Sequence, residues 1–106
     1  MLKQETIIKG FVAGDRAVFQ LIYQQTQPFL YRVIYRMVGS PEEAEDLLHD
    51  SYVKIFENHR TFQPRQASLK TWVYHIAVNH TVNYLKRKKS LAGKLLHIFE
   101  AQNAAE

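Results

Sequence analysis

Residues 68–89, SLKTWVYHIAVNHTVNYLKRKK, decide how the rest of this sequence is interpreted. At about 100° per residue, a helix over this stretch carries its apolar side chains on two stripes, and both stripes can be buried. The first stripe contains Leu69, Val73, Ile76, Ala77 and Tyr84, and the second contains Tyr74, Val78, Val82 and Leu85. The spacing therefore predicts a long helix that packs against other elements along two lines.

A polar strip separates the two stripes and consists of Trp72, His75, Asn79, Asn83 and Lys86. A flat aromatic ring can stack on an unpaired base, amides can pair with base edges, and cations can follow phosphates. The strip runs into the basic residues 86–89. This combination favours a helix that binds single-stranded or distorted DNA. The alternative is a core helix with an ordinary solvated face and a basic end.

The composition predicts one compact globular domain. The chain has 106 residues, of which 46% are hydrophobic and 23% are charged, and it has no cysteine. The missing thiols exclude disulfides and zinc sites built on thiolates, and no apolar run approaches the roughly 18 residues of a membrane span. The first ten residues do not resemble a secretory signal. We therefore expect a cytoplasmic protein that does not insert into membranes.

The charge is divided unevenly along the chain. Residues 1–57 carry six lysines and arginines against eight acids, whereas residues 58–106 carry eight against two. A basic segment binds phosphates through counterion release, while an acidic face is repelled by the same polyanion. We expect the basic half to bind nucleic acid and the acidic half to bind protein.

Two helices are predicted before residue 40. Residues 4–12 form a short helix that ends at Gly14, and Asp15 is suited to cap the helix that follows. The second helix runs from Arg16 to Val38. We expect a kink or break near Gln27, because Pro28 removes a backbone hydrogen bond and clashes with the preceding turn.

A third helix begins at the sequence Ser-Pro-Glu-Glu, residues 40–43, and extends to about residue 59. Gly39 is suited to end the preceding helix, Ser40 to cap the new one, and Glu43 to complete a capping box. Residues 58–67 should form a loop, in which Phe62 is expected to plug the core, and Ser68 should cap the final long helix. Residues after 89 should form a partly helical tail. We therefore predict an all-α compact bundle of about four helices.

The third helix has a buried stripe and an acidic face. The stripe contains Ala44, Leu47, Leu48, Ser51, Tyr52, Ile55 and Phe56, and the opposite face contains Glu42, Asp46, His49, Asp50, Val53 and Glu57. Val53 is the apolar member of that face. It is either a chance surface valine or the centre of a small protein-docking patch with a polar rim.

No catalytic motif is found. The sequence contains no phosphate-binding loop, nucleophile elbow or HExxH zinc motif, so we expect neither an enzyme nor a cofactor or metal site. His75 and His80 are five residues apart and share a helix face poorly. His80 lies on the first apolar stripe, where a partly buried and hydrogen-bonded histidine is expected.

Two segments carry a resemblance to a known family. They are PEEAEDLLHDSYVKIF, residues 41–56, and LKTWVYHIAVNHTVNYLKRKK, residues 69–89. The most specific residues are Glu45, Asp46, Leu47 and Asp50 in the first segment, and Thr71, Trp72, Tyr74, Ile76, Ala77 and Asn79 in the second. Over roughly residues 10–90 the chain resembles the second conserved region of bacterial RNA polymerase sigma factors, in the extracytoplasmic-function group.

The resemblance implies a role for each half. The acidic helix would dock onto the clamp helices of the largest subunit of core RNA polymerase, through Glu42, Asp46, His49, Asp50 and Val53. The final helix would face DNA and, with the preceding loop, capture the non-template strand of the promoter element nearest the start site. The implied DNA contacts are Phe62, Arg65, Lys70, Trp72, His75, Asn79, Asn83, Lys86, Arg87 and Lys88. An anti-sigma protein would be the regulator.

Two residues depart from the family pattern. His49 stands where glutamine is usual, and His75 stands where arginine is common, so at position 75 an imidazole replaces a group with a fixed charge. This puts a phosphate contact by His75 in doubt. The resemblance also implies that residues 1–90 form the region 2 domain, and that residues 91–106 are a tail or linker towards a C-terminal helix-turn-helix domain absent from this sequence.

Two other functions fit the same residues. One is a helical adaptor whose basic end binds RNA or another acidic partner without promoter specificity. The other is a purely structural or protein-interaction bundle. Salt-dependent binding with a sequence preference separates the sigma factor from the adaptor.

Overall fold

The computed structural model describes residues 4–104, and over that range the chain forms four α-helices and one short 3₁₀ turn, with no strand. The helices are α1 (Gln4–Ala13), α2 (Arg16–Val38), α3 (Pro41–Glu57) and α4 (Leu69–Ala104), and the 3₁₀ turn is His59–Thr61. The predicted all-α bundle with a long C-terminal helix is confirmed. Both α3 and α4 pack on α2 and on each other, and α1 packs on α2 and the 3₁₀ turn.

The predicted helix boundaries are formed by the predicted caps. Asp15 accepts a hydrogen bond from the Ala17 amide at 2.9 Å, and Ser68 accepts one from the Thr71 amide at 3.1 Å. Gly39 ends α2 in the left-handed region, with φ of 75°, and its amide donates to the Tyr35 carbonyl at 2.7 Å. These contacts satisfy backbone groups that have no partner inside a helix.

Of the kink or break predicted near Gln27, the break is wrong, because α2 continues through Pro28 to Val38. Pro28 has no backbone amide to donate to the carbonyl of Gln24. Both residues are exposed, so water can form a hydrogen bond with that oxygen. Buried side chains on both sides of the proline hold the two halves of α2 against the bundle. They are Val18, Ile22, Thr26, Leu30 and Ile34.

The core contains an aromatic cluster that sequence periodicity does not predict. Phe11 of α1 is fully buried, and its ring lies 5.5 to 6.0 Å from those of Phe19, Phe62 and Trp72. All three pairs are edge-to-face, the geometry that aromatic quadrupoles favour. The cluster joins α1, α2, the loop after the 3₁₀ turn and the start of α4.

The first apolar stripe of α4 is the more deeply buried one. Leu69, Val73 and Ala77 are buried, whereas Tyr74 of the second stripe is 36% exposed and its other members are half-buried. Tyr74 contacts α2, where its ring stacks on Phe29 with the ring centroids 6.4 Å apart.

The residues after 89, predicted as a partly helical tail, continue α4 as one helix to Ala104. Ser90 and Gly93 cost at most about 1 kcal/mol each in a helix, and the alanine, leucines and lysine around them are strong helix formers. Every described side chain from residue 86 to residue 102 is exposed, including Leu91, Leu95 and Phe99. Residues 105 and 106 of the predicted tail lie outside the described residues.

Within the described range, none of the helices combines the length and the apolar character that crossing a membrane requires.

Candidate protein and nucleic-acid interfaces

The acidic face of α3 is open to solvent. Its five predicted docking residues, Glu42, Asp46, His49, Asp50 and Val53, are all exposed, and the Val53 side chain is 43% exposed. The opposite side of α3 is buried through Ala44, Leu47, Leu48, Ser51, Tyr52 and Ile55. The fold therefore does not need the acidic face for packing, and a partner can reach all of it.

A groove of about 330 Å³ lies between the end of α3, the 3₁₀ turn and α4. Trp72, Asn79 and Asn83 of the polar strip line its α4 side. Trp72 is half-buried, while both asparagines are exposed. The groove therefore combines one anchored aromatic ring with two amides that are free to form hydrogen bonds.

The other wall of the groove consists of Lys54, Asn58 and Thr61, which sequence reasoning missed. Lys54 is in the last turn of α3, Asn58 precedes the 3₁₀ turn and Thr61 is its last residue, and their composition indicates only a turn. Helical periodicity within α3 and α4 separately does not reveal that these ends meet. These residues meet because α3 and α4 cross, and nothing in the sequence indicates where they cross.

The remaining predicted DNA contacts do not all lie near this groove. His75 and Arg65 are exposed, the first on α4 and the second in the loop. Phe62 is only 4% exposed and packs on Trp72 with ring centroids 5.4 Å apart, as the plug interpretation predicts. The Lys70 ammonium lies 5.0 Å above the Phe29 ring on the side of α2. Contact between Phe62 and DNA would require this side chain to leave the core.

The basic end of α4 is divided by an ion pair. The Lys88 ammonium donates to Glu43 Oε1 at 2.7 Å, and the Tyr84 hydroxyl donates to the same oxygen at 2.8 Å. Hydrogen bonds from Lys88 and Tyr84 lower the pKa of the Glu43 carboxyl. Glu43 therefore links α3 to α4, in place of the reciprocal capping-box bond predicted for it. Lys86 of the polar strip and Arg87, which continues its line, are both exposed.

His80 lies between the groove and the acidic face. It is buried, and neither ring nitrogen has a hydrogen-bond partner among the described residues, so the predicted hydrogen bond is wrong. Its Nε2 is 3.6 Å from Asp50 Oδ2, beyond hydrogen-bonding distance. Burial lowers the pKa of His80, the charges of Lys54 and Arg87 act in the same direction, and Asp50 opposes them.

This lowered pKa predicts a loss of stability in acid. The unfolded imidazole takes up a proton near about pH 6.5, whereas the folded one resists it, so the free energy of unfolding should fall as the pH drops through that value. Urea denaturation at about pH 7.5 and about pH 5.5 measures the change. His80→Leu should reduce the difference between the two conditions, and the exposed control His75→Gln should leave it unchanged. Equal pH dependence in His80→Leu and the wild type would contradict the prediction.

Comparison with known proteins identifies the family. The model of the family described as Sigma-70 region 2 matches residues 22–91. The chain is 32% identical over 82 residues to the ECF RNA polymerase sigma factor SigW of Bacillus subtilis, covering 77% of this chain and 43% of that protein. It is 30% identical over 88 residues to the RNA polymerase sigma-H factor of Pseudomonas aeruginosa, covering 80% and 45%. The chain thus spans less than half the length of these relatives.

A solved structure has the same fold. The NMR structure of an engineered region 2 of sigmaE in complex with GTAAAA aligns with a TM-score of 0.72 at 25% identity, covering 83% of this chain and 90% of that one. The relatives are sigma factors rather than enzymes, which confirms the prediction that this chain is not an enzyme. The chain belongs to the Sigma-70 region 2 family, in the extracytoplasmic-function group of sigma factors.

Proposed function

We propose that this chain acts in transcription initiation as the region of a sigma factor that binds core RNA polymerase and opens the promoter element nearest the start site. The observation that carries the proposal is that α3 separates two chemically different surfaces. One is the exposed acidic face around Val53, and the other is the groove lined by Trp72, Asn79 and Asn83.

The acidic face suits a protein partner. Glu42 and Asp46 have no ion-pair partner among the described residues, and they would repel a phosphate backbone. Val53 provides an apolar centre with a charged rim, the usual arrangement of a small protein interface. In our proposal this face docks onto the clamp helices of the largest polymerase subunit.

The groove suits an unpaired base of the non-template strand. Strand opening makes and breaks no covalent bond. It needs a site that compensates for unstacking a base from the duplex, which costs a few kcal/mol. Stacking on an aromatic ring returns about 1–3 kcal/mol per base, and an amide can read the base edge. Trp72 and Asn79 are candidates for these two roles, and Lys54 supplies a cation beside them.

The acidic face and the groove both include residues of α3, so binding at one fixes the position of the other. Asp46 and Val53 are on its outer face, while Lys54 and Asn58 at its end border the groove. Docking through the outer face would hold the groove in a fixed position relative to the polymerase. A single anti-sigma protein that covers α3 and the groove would block both steps, and we propose this as the form of regulation.

Two measurements separate this function from the adaptor alternative. The chain should co-purify with core RNA polymerase, and the complex should bind one single-stranded promoter sequence in preference to its scrambled version. An adaptor should show salt-dependent binding without the preference. Failure to bind core polymerase would overturn the proposal.

The basic end offers a prediction with an internal control. Lys86 belongs to the polar strip and Arg87 continues it, whereas Lys88 is paired with Glu43. Removing two phosphate contacts from a single-strand complex should reduce the slope of log K against log salt by roughly 1.4, at about 0.7 per contact. The double variant Lys86→Ala/Arg87→Ala should show this reduction in titrations over several salt concentrations. Lys88→Ala should keep the wild-type slope, and identical slopes in all three proteins would contradict the assignment.

A further inference from the structure

The C-terminal part of α4 extends past the bundle and carries an exposed apolar stripe. The molecule measures 69 × 24 × 20 Å, so one dimension is far longer than the other two. Contiguous exposed apolar side chains usually mark a surface that binds a partner. Five large apolar side chains in this part of α4 are each 55–59% exposed, and they are Leu91, Leu95, Leu96, Ile98 and Phe99.

The exposed stripe continues the buried face of α4. Leu91 and Leu95 lie 18 residues after Val73 and Ala77, which corresponds to five complete helical turns. Val73 and Ala77 are fully buried against the bundle. The exposed stripe therefore faces the side of α4 on which the bundle lies, but it begins beyond the point at which the bundle ends.

The position of the bundle determines what can cover this stripe. A flat surface such as a membrane would collide with the bundle, which projects from the same side of α4. A single helix is only about 10 Å across and can lie in the space beyond the bundle. Glu43 marks the near end of this space, because its carboxylate contacts Lys88. About 16 residues remain from there to Ala104, a length of roughly 24 Å.

We propose that the same segment of a second copy of this chain fills this space, as an antiparallel helix. Residues 91, 95, 98 and 102 are spaced by four, three and four, which is the spacing of a coiled-coil seam. Antiparallel pairing sets Leu95 against Ile98 of the second copy, and Leu91 against Gln102 of the second copy. Each tail then occupies a space of its own length beyond the other bundle.

Two features of the chain favour the antiparallel orientation. A parallel helix on the same stripe would place the α4 of the second copy where the bundle of the first copy lies. Parallel pairing would also bring the two basic clusters, residues 86–89, together. Antiparallel pairing instead places the C-terminal end of each helix, which is the negative end of its dipole, near the basic cluster of the other. The proposal does not depend on the function proposed above.

Sedimentation equilibrium of the whole chain tests the association. The seam spans only about two heptads, so the mass should rise from 12.4 kDa towards twice that value between roughly 5 and 500 µM. Leu95→Glu places a charge in the seam and should raise the Kd of the dimer at least about tenfold. His97→Glu adds the same side chain on the opposite, polar face of α4 and should change the Kd by no more than about twofold.

Cross-linking tests the orientation, because the chain contains no cysteine of its own. A mixture of Leu91→Cys and Gln102→Cys should form a mixed disulfide dimer on oxidation, and neither variant should form one alone. Self-linking of Leu91→Cys without the mixed product would overturn the antiparallel arrangement. A monomer at every concentration, or equal weakening by Leu95→Glu and His97→Glu, would overturn the association and leave the stripe to a helix of another protein.

Discussion

Replacing Val53 with glutamate is expected to weaken binding to core RNA polymerase at least about tenfold, which corresponds to about 1.4 kcal/mol. The substitution places an unpaired charge at the proposed apolar centre of the interface, where desolvation would be unfavourable. The thermal melt should be almost unchanged, because the Val53 side chain is 43% exposed and contributes little to the core. Titration of core polymerase and a melt of the same preparation measure both effects.

Asp50→Arg provides a second test of the same face through charge reversal. It should also weaken polymerase binding, and Glu5→Arg, with the same change in net charge on α1, should not. Asp50 is the acid nearest His80, at 3.6 Å, so a small change in stability is expected for this variant. A large loss of stability in Val53→Glu would mean that the face packs inside the protein. If Asp50→Arg and Glu5→Arg weakened polymerase binding equally, net charge rather than this face of α3 would determine the affinity.

The second large effect is expected for Asn79→Ala. The Asn79 amide is exposed in the groove, one turn from both His75 and Asn83, and it can donate and accept in the pattern of a base edge. Its removal should cost about 1–3 kcal/mol in affinity for the preferred single strand, the scale of one good base contact. Binding to scrambled strands should barely change, because an amide adds little to a phosphate contact.

Trp72→Ala distinguishes base reading from base stacking. Trp72 packs edge-to-face on the buried Phe11 at 5.6 Å, so this variant should lose stability as well as affinity. This variant should lose similar affinity for the preferred and the scrambled single strand, since every base has a face that can stack. Titrations of both variants with matched and scrambled strands at one salt concentration make the comparison. If Asn79→Ala lost the same affinity for the matched and the scrambled strand, Asn79 would not read a base, and α4 would bind single strands through charge alone.

The helix caps and the two faces of α3 could be predicted from the sequence, because each depends only on residues that are close together in the chain. The caps at Asp15, Ser40 and Ser68 need only an oxygen within three residues of a free amide. The two faces of α3 follow from helical periodicity alone. The exposure of Asp46 and Val53 could therefore be predicted, as could the burial of Leu47.

Contacts between distant residues could not be predicted in this way. The Glu43 carboxylate accepts from Tyr84 and Lys88 across 41 and 45 residues instead of forming the reciprocal bond of the capping box, although its amide still donates to Ser40. The burial of Phe62 could be predicted, but its edge-to-face contact with Phe11 of α1 could not. His80 lacks the hydrogen bond expected of a buried histidine, because the nearest acid, Asp50, is too far from its ring. Each of these depends on how helices cross.

The most direct test is to mix the complex of this chain and core RNA polymerase with a random library of short single-stranded DNA and to sequence the retained strands. Sequence-selective capture predicts strong enrichment of one short motif, and it predicts that the enrichment disappears with Asn79→Ala while salt-dependent retention persists. Retained strands with the composition of the starting library, at the same salt concentration, would contradict a promoter-reading function and favour the unspecific adaptor.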